Sequence, residues 1–209
     1  MSQTSRINGF RPAKYLAGGG ANFQTEMFFV PSTDASVIMV GDAVQLAGDA
    51  RAASGVATVT RQATATGVPL GIVVGIAYTG MGDVTNVPPV TDLNTPIFRR
   101  ANTDRYLMVC VDPSATYEVQ IAGAGPAAAA ATALVGLNGQ FTLTAGNTAS
   151  GASGMQLDSA GTAATATLPL KIVGIPARPD NIPGDPFLSY YVKLNGSTMS
   201  SGTGQIGVA

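Results

Sequence analysis

From residue 27 onward, short apolar runs follow one another, each cut off by Gly, Pro, Asn or Asp. The runs cover residues 27–31, 36–40, 43–46, 56–61, 70–78, 97–100, 105–111, 117–121, 140–144, 155–157, 166–175 and 189–194. Phe141-Thr142-Leu143-Thr144 alternates apolar and polar with the two-residue period of a half-buried strand. Val56-Ala57-Thr58-Val59-Thr60 alternates more loosely, Val56 and Thr58 falling on one face and Ala57 and Val59 on the other. Leu70-Gly71-Ile72-Val73-Val74-Gly75-Ile76 is apolar on both faces, which suits a central strand. Many short strands with regular turn signals predict an all-β fold, a compact β-sandwich or β-barrel.

The punctuation predicts the connections. Gly41-Asp42 suits a tight hairpin and Asn138-Gly139 a turn. Asp112-Pro113-Ser114 opens a turn, and Asn195-Gly196 ends the last strand. Residues 126–134, a proline followed by alanines, predict a short helix or a loop. Residues 77–96, 145–153 and 178–186 read as long loops; the first and third are held out of any ladder by their prolines.

Residues 1–25 fit neither period. Arg6, Arg11 and Lys14 are their only charges, and Ile7, Phe10, Tyr15, Leu16 and Phe23 are scattered among them. That mixture suits an extended arm lying in a groove on another protein; a terminus packed on its own domain is the alternative. The expected organisation is an arm over 1–25, one β domain over 26–196 and a Ser/Gly-rich tail over 197–209.

Composition narrows the function. Charged residues are 11% of the 209, where about 25% is usual. Either much of the surface faces protein, or small polar residues keep it soluble. A net charge of −1 argues against a strongly basic nucleic-acid binder. No apolar stretch has the length of a membrane span, and Met1–Arg6 lacks the core of a signal peptide, so synthesis in the cytoplasm is expected. The single cysteine, Cys110, sits in an apolar run as a buried thiol.

Catalytic groups are scarce. Without histidine there is no Ser-His-Asp triad, Cys-His dyad or imidazole zinc site. Lys14, Lys171 and Lys193 stand at no Ser-x-x-Lys spacing, and nothing marks a carboxylate pair among the twelve acids. Gly18-Gly19-Gly20 lacks the strand–helix setting of a phosphate loop. Asp180 and Asp185 offer oxygens to a calcium ion, but a proline-stiffened turn accounts for them as well. Arg99 and Arg100 alternate to opposite faces and are expected to pair with Asp92 or Asp104, or to rim an interface. No enzyme activity and no cofactor are expected.

Arg6-Ile7-Asn8-Gly9-Phe10-Arg11-Pro12-Ala13-Lys14-Tyr15 resembles the N-terminus of virion structural proteins of tailed bacteriophages. So do Phe29-Val30-Pro31-Ser32-Thr33-Asp34, Val40-Gly41-Asp42-Ala43-Val44, and the stretch from Leu168 to Ile175 with Arg178-Pro179-Asp180-Asn181. The resemblance runs from about residue 6 to residue 195 and points to head decoration, or cement, proteins. It implies a jelly-roll-like or β-tulip-like domain, dimeric or trimeric, that binds the outer surface of the major capsid protein and bridges its subunits. Nucleic acid and membrane are not expected partners. The expected capsid contacts are Ile7, Phe10, Arg11, Lys14, Tyr15, Phe23, Arg99 and Arg178. The alternative is a head-fibre or spike domain recognising a host glycan or receptor through loop tyrosines, Tyr78 and one of Tyr190 and Tyr191.

Overall fold

The computed structural model describes residues 4–15, 22–77, 96–123 and 125–198. Among them the chain forms thirteen strands and one short helix. The strands are β1 (Arg11–Tyr15), β2 (Thr25–Val30), β3 (Ile38–Met39), β4 (Ala43–Ala50), β5 (Ala57–Arg61), β6 (Gly71–Ala77) and β7 (Phe98–Arg99). They continue as β8 (Arg105–Cys110), β9 (Ala115–Gln120), β10 (Asn138–Asn147), β11 (Ala152–Ala163), β12 (Leu170–Gly174) and β13 (Ser189–Leu194), with α1 (Ala128–Ala133) before β10. Every apolar run from residue 27 onward carries one of these strands, and the all-β expectation holds.

β2, β5, β4, β6 and β8 close into a barrel. Its neighbours are antiparallel except β2 and β5, which meet in parallel at Phe29 and Thr58. The second body is a six-stranded sheet in the order β1-β9-β13-β12-β10-β11. It curls until Ile121, just past β9, bridges Leu157 on β11. β3 and β7 form a small ribbon beside the two.

The doubly apolar β6 explains how the bodies join. Leu70 and Val73 point into the barrel with Phe28, Val30, Val44, Val59, Leu107 and Val109. Ile72 points the other way, into a core shared with Tyr117, Phe141, Leu157, Ile172 and Tyr190 of the curled sheet. β4 and β8 split likewise: Ala43 and Cys110 join the shared core, Val44 and Val109 the barrel. Side chains alternate across a strand, so a strand between two cores is apolar at every position. Burial pushes the Cys110 thiol up, consistent with an inert packed residue. Tyr190 anchors α1 by donating its hydroxyl to the Ala131 carbonyl (3.0 Å), and burial pushes its phenol up to about 12.

Several local expectations are corrected. Gly41-Asp42 makes no hairpin; it is the corner where the chain leaves the β3–β7 ribbon and enters the barrel. Asn138-Gly139 lies within β10, paired with Ala163 on β11 and with Lys171 and Leu170 on β12. Residues 145–153 are not a long loop: β10 and β11 extend through most of them and leave a tight turn at 148–151. Residues 178–186 remain without strand, as their prolines require. Residues 78–95 and 199–209, in the first predicted loop and the tail, lie outside the described residues.

Arg99 is corrected as well. It is fully buried and not on an interface rim. Its guanidinium donates to the carbonyls of Thr103 (3.0 Å), Pro31 (2.8 Å), Asp34 (2.7 Å) and Ser36, and pairs with the Asp34 carboxylate at 3.4 Å. Five fixed donors suit a buried arginine to stapling two loops whose carbonyls have no ladder partner. Asp104, its expected partner, instead accepts from the Ser32 amide. Burial opposes the Asp34 carboxylate, but hydrogen bonds from Thr60 and Ser36 and the Arg99 charge outweigh it and hold the group below its ordinary range.

Two outcomes follow. Arg99→Leu should cost about 3–5 kcal/mol in urea unfolding because it removes the buried charge partner of Asp34 and the donors that tie four carbonyls together, and Arg99→Lys should recover only part of that. Asp34 is depressed in the folded state, so its contribution is present above the unfolded value of about 3.9 and lost as pH falls through the folded value. Asp34→Asn should therefore flatten the acid limb of a stability–pH curve while leaving its shape at neutral pH unchanged.

Candidate functional site

The N-terminal segment, expected as an extended arm for a groove on another protein or else as a terminus packed on its own domain, lies against this molecule over residues 4–15. Gly9 carries a φ of 68°, and a side chain there would stand 2.5 Å from the Gly41 carbonyl oxygen and from Ser153 Cβ. Only glycine permits both that turn and that approach. The next amide, of Phe10, donates to the Gly41 carbonyl at 2.9 Å. Phe10 then enters the shared core, edge-on to Phe141 with ring centroids 5.3 Å apart. It is thus a core residue and not a contact residue, and burying its ring stabilises the fold by roughly 1.5–3 kcal/mol.

The junction under Phe10 is polar. Asp42 is buried and its carboxylate accepts from the Met39 amide (2.9 Å), the Ser153 hydroxyl (2.5 Å) and Arg61 Nε (3.2 Å). Arg61 also donates to the Thr144 carbonyl at 2.7 Å. Barrel, ribbon and curled sheet meet on this one carboxylate.

Past Phe10 the chain becomes β1 and pairs with β9, Arg11 opposite Glu118 and Tyr15 opposite Ala115. The register shifts between Pro12 and Lys14. Arg11 and Lys14 are exposed, with the Lys14 ammonium 4.2 Å from the centre of the Tyr191 ring. Tyr15 lies against Phe23 (5.1 Å between centroids) and donates to the Asn22 carbonyl. Desolvation, and after it the nearby Asp112 carboxylate, hold the Tyr15 phenol above its ordinary value.

Two recesses flank β1. One is polar, about 300 Å³, lined by Arg6, Arg11, Arg178, Glu118, Asp180 and Gln120 among others. Arg178 pairs with Glu118 at 2.7 Å and Asp180 at 3.3 Å, and the Arg6 amide donates to Gln120 Oε1 at 2.8 Å. The other is a mainly apolar cleft of about 550 Å³ between β1 and the barrel, where Pro12, Phe23, Val40 and Val74 lie with Asn8, Asn22, Thr25 and Ser150 among them. Asn8 and Arg11 border both recesses. Val40 and Ile97, one step beyond the Met39–Phe98 pair, are exposed apolar residues at its ribbon end.

The expected contact residues therefore divide. Arg11 and Arg178 come together at the polar recess, and Arg11 and Phe23 at the cleft. Lys14 and Tyr15 continue along β1, and Ile7 is exposed just before it. Phe10 and Arg99 are structural. Arg6, Val40 and Val74 border the surface but were not among the expected contacts; Val74 sits in the run that read as a central strand. Of the loop tyrosines, Tyr190 is buried, Tyr191 lies under Lys14 in β13, and Tyr78 falls outside the described residues.

Among the described residues no three acidic, cysteine or histidine side chains cluster as metal ligands. Asp180, one of the two candidate calcium ligands, is engaged by Arg178. No described helix is long and apolar enough to cross a membrane. No family model, curated protein or solved structure matches the chain.

Asp42→Ala should lower stability by about 3–5 kcal/mol, since it leaves Arg61 and the Met39 amide without their shared acceptor. Chemical denaturation measures the loss, and limited proteolysis should cut the N-terminal segment before the barrel.

Proposed function

We propose that the protein is a structural component of a tailed-phage virion that decorates the capsid, binding the outer surface of the major capsid protein and bridging neighbouring subunits. The observation that carries this reading is the surface around β1. An exposed basic strand flanked by a mainly apolar cleft and a polar recess is held on two bodies that share one core. Such a surface suits contact with protein, where aromatic and arginine side chains carry much of the binding. The charge-poor composition and the N-terminal resemblance agree with it. The virion's outer surface would be its location and a dimer or trimer its form; many copies on a lattice gain from multivalent geometry even where each contact is modest.

Quantitative mass spectrometry of particles of the encoding phage should count copies on the order of hundreds per particle, as a repeating shell requires. A count of about a dozen or fewer, the number expected of a portal, neck or fibre component, would end the decoration reading.

A further inference from the structure

Among the described residues β1 is the outermost strand of the curled sheet and pairs with β9 on one side only. The backbone groups on the outer side of such a strand can accept a further strand. Pro12, Arg11 and Lys14 are residues that discourage indiscriminate pairing at an edge. They leave it open to a segment of matching charge.

On β1 and the segment before it the charged side chains are all cationic, although Glu118 stands opposite Arg11 on β9 and, with Asp180, lines the polar recess. Arg6, Arg11 and Lys14 are the only charged side chains between residues 4 and 15. Arg178 is neutralised by Glu118 and Asp180, whereas Arg6 and Arg11 have no carboxylate partner among the described residues. Asp112, beside Tyr15, marks where the positive stretch ends. The cleft beside the edge is mainly apolar, with Asn8, Asn22, Thr25 and Ser150 at its wall, and is large enough for a few side chains. Because alternate residues of an added strand face the same way, one set of its side chains can enter the cleft while the other meets Arg6 and Arg11.

We propose that the open edge of β1 takes up an extended acidic segment of a partner protein as an added strand, its apolar side chains in the cleft and its carboxylates on Arg6 and Arg11. The identity of the partner rests on the decoration reading: there the segment belongs to the major capsid protein. The strand addition itself rests on the edge, the cleft and the unpaired arginines.

Fluorescence anisotropy tests it with the full chain and two labelled peptides, one alternating Asp with Val and one alternating Lys with Val. The Asp–Val peptide should bind saturably, at least about ten-fold tighter than the Lys–Val peptide, and more weakly as salt is raised. Arg6→Glu/Arg11→Glu should reverse that preference. Both side chains are exposed, so the double variant should keep a cooperative thermal melt that confirms it folds, its midpoint slightly lowered because Arg11→Glu sets a carboxylate opposite Glu118. Amide exchange over residues 11–15 should slow when the Asp–Val peptide is bound. Equal binding of both peptides, no saturable binding, an unchanged preference in the double variant, or peptide merely displacing a second copy of the chain would each overturn the inference. The two proposals separate on empty capsids. Undiminished capsid binding by the double variant defeats the acidic-strand inference and leaves decoration standing. Peptide binding without capsid binding does the reverse.

Discussion

One buried carboxylate holds the architecture together. Asp42 would cost several kcal/mol to desolvate if it stood alone. Its cost is offset by three donors from separate parts of the chain: Met39 at the end of the ribbon, Ser153 at the start of β11 and Arg61 at the end of β5. None of the three is local to the others, so the carboxylate is satisfied only when ribbon, barrel and curled sheet are all in place. Apolar contact alone would let two β bodies slide over one another, since dispersion is weakly directional. A hydrogen-bonded charge at their junction fixes a single arrangement. The Gly9–Gly41 approach uses the same corner: the amide of Phe10 reaches the Gly41 carbonyl only because neither glycine carries a side chain.

That constraint explains which parts of the fold were legible in the sequence. Period-two patterning and turn residues report on local backbone, and they marked each strand from β2 to β13. They are silent on which strand pairs with which. The doubly apolar β6 was recognisable as central, but the sequence does not say that its two faces serve different cores. Asn138-Gly139 has the composition of a turn and lies in a strand because β10 pairs on both sides there. Tertiary pairing overrode a local preference. β1 was missed for the opposite reason. Arg11-Pro12-Ala13-Lys14-Tyr15 carries a proline, two cations and no alternation, so its pairing with β9 owes little to its own propensity and much to the anchoring of Phe10 just before it.

The candidate surface was legible in part for a related reason. Charge and aromaticity in residues 1–25 marked a segment that does something beyond filling space, but the same signal does not separate a contact residue from an anchor. Phe10 and Arg99 illustrate the two failures. An aromatic beside exposed arginines turned inward because Gly9 redirects the chain. An arginine in a basic pair was buried because two loops turn four carbonyls and the Asp34 carboxylate toward it. Burial of a large polar side chain is decided by acceptors elsewhere in the fold, and no short window of sequence carries that information.

What remains on the outside after these anchors are subtracted is a coherent surface. Phe10 fixes the height of β1, Gly9 its direction, and the Tyr15–Phe23 contact its far end. A strand held at three points loses little conformational freedom when it binds, and freedom lost on binding is a main reason that buried area fails to convert into affinity. The segment that read as an extended arm is better suited to recognition as a fixed edge. A mobile arm would have to be ordered by its partner, whereas β1 already presents Arg11 and Lys14 on a ladder whose spacing matches an extended chain.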